Sequence, residues 1–82
     1  MPTILRLGNL RVLIYLNDHP PPHVHIIGAG AEAKIALGAE GERPSLITNK
    51  GLSRREVKKA LAEIDGNRAL LLQRWREIHG DA

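Results

Sequence analysis

Apolar and polar positions alternate in two clear stretches near the start of the chain. Thr3–Leu7 and Leu10–Leu16 are β-type runs separated by Gly8-Asn9. A two-residue Gly-Asn loop needs positive φ and is a strong hairpin signal. In that register Leu7 faces Leu10, Arg6 faces Arg11, Leu5 faces Val12 and Ile4 faces Leu13. One sheet face then holds Leu5, Leu7, Leu10, Val12, Ile14 and Leu16. The other holds Ile4, Arg6, Arg11, Leu13 and Tyr15, because successive side chains point to opposite faces. A second hairpin, His23–Ile27 with Glu32–Leu37, surrounds Gly28-Ala29-Gly30-Ala31. A four-residue loop pairs Ile27 with Glu32, Ile26 with Ala33, His25 with Lys34 and Val24 with Ile35. It leaves Val24, Ile26, Ala33, Ile35 and Leu37 on one apolar face and His23, His25, Glu32 and Lys34 on the other. A three-residue loop would mix the histidines with Ala33 and Ile35 and is rejected on that ground.

Between the hairpins, Asn17-Asp18-His19-Pro20-Pro21-Pro22 breaks the pattern. Three prolines remove three backbone donors and fix three φ angles, so the segment is neither helix nor central strand. It reads as a short extended piece whose proline isomers the sequence leaves open. Residues 38–44 read as loop, Ser45–Thr48 as a short edge strand and Asn49-Lys50-Gly51 as a turn. The helical period takes over at Ser53, where Ser53-x-x-Glu56 is a capping box. Val57, Leu61, Ile64, Leu71, Trp75 and Ile78 keep a four-three spacing, with Arg68 in the one gap. The phase survives Asp65-Gly66-Asn67, which favours one continuous or kinked helix over two, although Gly66 costs about 1 kcal/mol relative to Ala.

These elements predict an α+β fold with an antiparallel sheet of four to five strands, made of two hairpins and a short edge strand. One long or kinked C-terminal helix packs on one face. The 82 residues form a single domain, with a sheet region over 1–48 and a helical region over 53–79. A domain this small buries a thin core, so a partner protein or a second copy of the chain is expected.

Composition narrows the function classes. The apolar fraction of 43% argues against global disorder. Tyr15 and Trp75 are the only aromatics of the Phe/Tyr/Trp class, which counts against a base-stacking nucleic-acid platform. The absence of cysteine excludes disulfides and thiolate metal sites. Met1-Pro2-Thr3-Ile4-Leu5-Arg6 has no secretory pattern, and no apolar run approaches a membrane span, so a cytoplasmic protein without membrane attachment is expected. The net charge of +3 sits in the second half, chiefly at Arg54, Arg55, Lys58 and Lys59. That excess permits a polyanionic partner such as RNA; the plainer account is a solvated helix face.

Candidate chemistry concentrates in His19-Pro20-Pro21-Pro22-His23-Val24-His25. His23 and His25 stand at i, i+2 on a strand, which points both rings the same way about 7 Å apart at Cα. Such a pair can ligate a divalent transition metal such as zinc, with His19 or Glu32 as a third ligand. The same two rings can act as general base and acid on a phosphodiester, with Lys34 or Arg11 steadying the charge, and so serve as the catalytic residues of a small nuclease. The plainer reading is structural: the histidines cap strand ends, bond the proline loop or line an interface. Arg6, Arg11, Tyr15, Glu32 and Lys34 share the candidate binding face. The like charges of Arg6 and Arg11 across the hairpin call for a nearby anion. Trp75 reads as core, His79 as a cation-capable group at a helix C-terminus, and Ser53 as a cap.

With these residues laid out, the chain resembles a small bacterial family known as domain of unknown function 4160. The resemblance rests on Met1-Pro2-Thr3-Ile4, the His-Pro-Pro-Pro-His-Val-His block, Gly30-Ala31-Glu32-Ala33-Lys34, Asn49-Lys50-Gly51-Leu52-Ser53 and the closing Asn67-Arg68 … Trp75 stretch. Asp65-Gly66-Asn67 departs from it, as does Leu7, where relatives often carry an aromatic. The resemblance implies a short bacterial protein encoded beside another small protein, an arrangement similar to toxin–antitoxin modules. The function expected on this basis is an interaction or regulatory component of such a pair, acting on a small partner protein encoded nearby, with RNA as a further candidate partner. His19, His23, His25, Glu32 and Lys34 match recurrent family positions, and no catalytic role comes with them.

Overall fold

The computed structural model describes residues 3–39 and 41–80; Met1, Pro2, Glu40, Asp81 and Ala82 lie outside the described residues. Five strands run in chain order: β1 (Thr3–Leu7), β2 (Leu10–Leu13), β3 (His23–Gly28), β4 (Ala31–Ala36) and β5 (Ser45–Lys50). Each pairs antiparallel with its chain neighbour, giving the sheet order β1-β2-β3-β4-β5. Two helices follow, α1 (Arg54–Gly66) and α2 (Arg68–His79). The α+β class and the antiparallel sheet are as the sequence predicts.

The second hairpin has the predicted register: Val24 with Ile35, His25 with Lys34, Ile26 with Ala33 and Ile27 with Glu32. Pairing extends one step further, Gly28 with Ala31. The loop is therefore two residues, Ala29 and Gly30, with φ of 48° and 77°, as the right-handed twist of a tight hairpin requires. In the first hairpin Leu7–Leu10, Arg6–Arg11 and Leu5–Val12 also match, but Leu13 pairs with Thr3 rather than Ile4. A register shift at Ile4 breaks the alternation, and Ile4 packs against the core instead of joining the opposite face.

The core lies between one sheet face and the helices. Val12, Ile14, Val24, Ile26, Ala33, Ile35 and Leu37 meet Ala60, Ile64, Leu71 and Trp75 there. Each fully buried branched aliphatic contributes about 1.5–3 kcal/mol, which is why the two apolar faces found by alternation dock against one helical stripe. Leu16, expected on that face, is 71% exposed. The reason is local: the Asp18 carboxylate accepts the Tyr15 N–H at 3.0 Å and the Asp18 N–H donates to the Tyr15 carbonyl at 3.2 Å. That turn ends β2 at Leu13, and alternation no longer applies at Leu16. Asn49 and Lys50, expected in a turn, extend β5, and the chain turns at Gly51 with φ of 94°.

The single helix is corrected to two. The Ser53–Glu56 capping box forms in both directions and starts α1. At Asn67 the backbone leaves helical geometry, with φ −113° and ψ 16°. Gly66 offers little resistance to a break. The Arg68 guanidinium then ties the start of α2 to the carbonyls of Leu37 at 2.7 Å, Gly38 at 3.0 Å and Ala39. The one polar residue in the apolar stripe thus satisfies carbonyls at the end of β4.

Candidate metal centre

The segment between β2 and β3 folds back over the sheet. The Pro20–Pro21 peptide is cis, and the Pro22 carbonyl accepts the Leu37 N–H at 3.0 Å, prolonging the β3–β4 ladder past His23. Asp18 thereby comes to lie beside the two strand histidines. Its Oδ1 is 3.0 Å from His25 Nε2 and 3.3 Å from His23 Nε2. One donor atom from each of Asp18, His23 and His25 lies within 4.8 Å of the other two.

The candidate binding face is closed at this point. His23 and His25 are 7% and 5% exposed. Alternation assigns a side chain to a face but does not say what covers it. Here the Tyr15 ring lies tilted against His25 with centroids 4.3 Å apart, His23 meets His25 edge-on at 5.2 Å, and the Trp75 ring lies 5.3 Å from His23. His79 completes the row, 4.1 Å from Trp75, with its Nε2 at 3.0 Å from the Tyr15 carbonyl. The end of α2 thus clamps the turn that presents Asp18.

Hydrogen bonds fix which nitrogens face inward. His23 Nδ1 is 2.9 Å from the Pro21 carbonyl, an acceptor only, so Nδ1 carries a proton and donates. In the neutral ring the lone pair is then on Nε2, pointed at Asp18. His25 Nε2 lies 3.0 and 3.1 Å from the two Asp18 oxygens, while its Nδ1 is buried without a hydrogen-bond partner and 3.8 Å from a Glu32 oxygen. His25 Nε2 therefore donates to the carboxylate, while the His23 Nε2 lone pair faces Asp18 Oδ1 at 3.3 Å; a metal ion bound here would take the place of the His25 proton. Burial pushes the Asp18 carboxyl up. The His25 hydrogen bond, the Tyr15 N–H and the two nearby histidines outweigh it and hold the carboxyl below its ordinary value. The Tyr15 hydroxyl is pushed up by burial and by the Glu32 and Asp18 charges, against the opposing effect of Arg11.

The structure brings together His23 and His25 with Asp18, a residue that the sequence places only in the proline-bearing break between the hairpins. A signal was present: a carboxylate five and seven positions before two histidines, with a rigid proline run between them. His19 is exposed and stands outside the cluster, on the rim of an open pocket of about 310 Å³ that Asp18, His23 and Lys34 also line. Glu32 is mostly exposed and reaches only the far nitrogen of His25. Arg6 and Arg11 face each other across the first hairpin, both exposed and outside that pocket. A larger cavity of about 690 Å³ opens on the other side of Pro21, between Arg68, Trp75 and Arg76.

Two donors held at about 2.0–2.2 Å from one metal, at tetrahedral or octahedral angles, lie about 3–3.5 Å apart; the two separations from Asp18, 3.0 and 3.3 Å, are in that range as well as in that of hydrogen bonds, and all three donors lie within 4.8 Å of one another. The Pro21 carbonyl plays the orienting part that a partner on the second ring nitrogen plays for metal-bound histidine.

Among the described residues no helix is long and apolar enough to cross a membrane. No curated protein and no solved structure matches the chain. A family model described as "Domain of unknown function (DUF4160)" matches residues 9–76, a span that takes in β2 to β5, the Asp–His cluster, all of α1 and most of α2, and the chain belongs to that family.

Proposed function

We propose that this protein binds a divalent transition metal through Asp18 Oδ1, His23 Nε2 and His25 Nε2. The observation that supports this most is the convergence of these three donors within 4.8 Å while His23 Nδ1 is committed to the Pro21 carbonyl. Two imidazoles and one carboxylate suit zinc, nickel or manganese rather than calcium or magnesium. Calorimetric titration with zinc, nickel and manganese tests the reading. At a metal concentration of about 100 times Kd, binding stabilises the fold by about 2.7 kcal/mol, which moves Tm upward by roughly 10–20 °C for a domain of this size. Asp18→Asn and His23→Ala each abolish that shift. A wild-type protein whose Tm ignores all three metals sinks the proposal.

Metal-free acid–base catalysis by His23 and His25 fits the geometry less well. His25 does not line the open pocket, and both Nε2 atoms are turned onto Asp18. An interaction role in a toxin–antitoxin-like pair has separate support: β5 is an edge strand, exposed at every position, and presents Leu46 and Ile47. Such edges accept a strand from another chain. Co-purification with the product of the adjacent gene, disrupted by Ile47→Lys, is the expected result; a wild-type protein that purifies alone ends that reading.

A further inference from the structure

Resting on the metal reading above, we infer that the pocket over the centre receives the phosphate group of a phosphomonoester. Asp18 and His23 form part of the wall of this roughly 310 Å³ space, so the side of the ion left free by three protein ligands faces into it. Three protein ligands with an open position is the arrangement that takes up an exchangeable oxygen donor.

The remaining wall has the chemistry of an anion site. Lys34 is the cross-strand partner of His25, rises from the same sheet face and lines the pocket. Among the described residues its ammonium is in no ion pair. Asn17 and His19 add donors at the rim, and the only carboxylate in the wall, Asp18, is occupied by the histidines. An ion and an ammonium on one wall can share two oxygens of the same tetrahedral anion, a part that lysine commonly plays toward phosphate as a point charge. A phosphomonoester carries close to two negative charges at neutral pH and answers both cations, whereas a carboxylate carries one. Pro20, Pro21 and Ile47 supply apolar wall for the group the phosphate is attached to. The volume is at the lower end for a small-molecule site.

The test uses manganese-loaded protein, with metal occupancy established first by titration. Phosphorus NMR line broadening then measures binding of inorganic phosphate, a nucleoside 5′-monophosphate and a 5′-phosphorylated oligonucleotide. Broadening of all three above a matched free-manganese control is expected, and their ranking identifies the source: a free anion, a nucleotide or a nucleic-acid end. Lys34→Gln, which still holds manganese, binds phosphate about tenfold more weakly. Protein that holds manganese but does not broaden phosphate overturns this inference and leaves the metal reading standing. Acetate competing as strongly as phosphate also overturns it, since the second charge would then count for nothing. Protein that holds no manganese, nickel or zinc removes both.

Discussion

Asp18→Asn isolates the carboxylate from everything else in the turn. Asparagine keeps the shape and one carbonyl oxygen, so the Tyr15 N–H bond at 3.0 Å can persist. What disappears is the charge facing His25 at 3.0 Å and His23 at 3.3 Å, and an amide N–H₂ donor takes the place of one acceptor oxygen. A hydrogen bond to a charged group contributes about 1.5–3 kcal/mol. Both histidines and the carboxylate are at least nine-tenths buried, so solvent screens little of it. A loss of about 2–3 kcal/mol is a large share of the roughly 4–12 kcal/mol expected for a chain of this length, and lowers Tm by roughly 10–20 °C. Trp75 is the only tryptophan, is 1% exposed and sits against His23 and His79, so its fluorescence in chelator-containing urea or thermal melts reports directly on this corner. The pH dependence follows from linkage. The folded Asp18 carboxyl lies below its unfolded value of 3.8, so its contribution is fully present above that value and is lost as pH falls through the folded one. The part of the gap between wild type and variant that Asp18 ionisation supplies is therefore lost as pH falls below the carboxylate range. Equal midpoints at neutral pH, or a gap indifferent to acid, would refute the reasoning.

Substitutions at three further positions probe the frame around the site. Arg68→Ala strips the carbonyls of residues 37–39 of their shared donor and costs about 2–3 kcal/mol; Arg68→Lys recovers only part of it, having no fork, as urea midpoints will show. Gly66→Ala meets nothing within 4 Å and raises stability by about 0.5–1 kcal/mol, an upward Tm shift by calorimetry. Gly28→Ala puts a methyl 2.6 Å from the Asn9 carbonyl oxygen and 2.9 Å from Leu10 Cδ2, and the forced shift between the two hairpins costs about 1–3 kcal/mol, visible as faster amide exchange in β2 and β3.

The sheet was largely legible because register follows from alternation and turn chemistry, both local. All four predicted pairs of the second hairpin are present, and so are three of the four in the first. The departures arise where a non-local group intervenes. Leu16 was placed by carrying alternation past the point where Asp18 ends the strand. The four-three spacing that runs through Ile64 and Leu71 predicts a continuous or kinked helix, and both residues are buried. That phase hides a break at Asn67, which a tether to residues 37–39 accompanies. The histidine pair was legible from its i, i+2 spacing. Its burial and its carboxylate partner were not, since both depend on how a proline turn returns through space and on Trp75 and His79 arriving from the far end of the chain.

The strictly sequential strand order has a kinetic meaning. Every sheet pairing joins neighbours in the chain, so contact order within the sheet is low and no strand waits for a remote partner. The three candidate ligands fall within residues 18–25, a loop whose closure entropy is small. The bond that locks the Tyr15–Asp18 turn from outside, by contrast, spans 64 residues to His79. We predict that docking of α2 is the last assembly step and the one that completes the ligand triangle. In stopped-flow refolding, burial of Trp75 and tight metal capture should then share one rate constant, and metal capture running ahead of Trp75 burial would separate the two events. The protein would bind its ion only as a finished fold, with the closing helix acting as its latch.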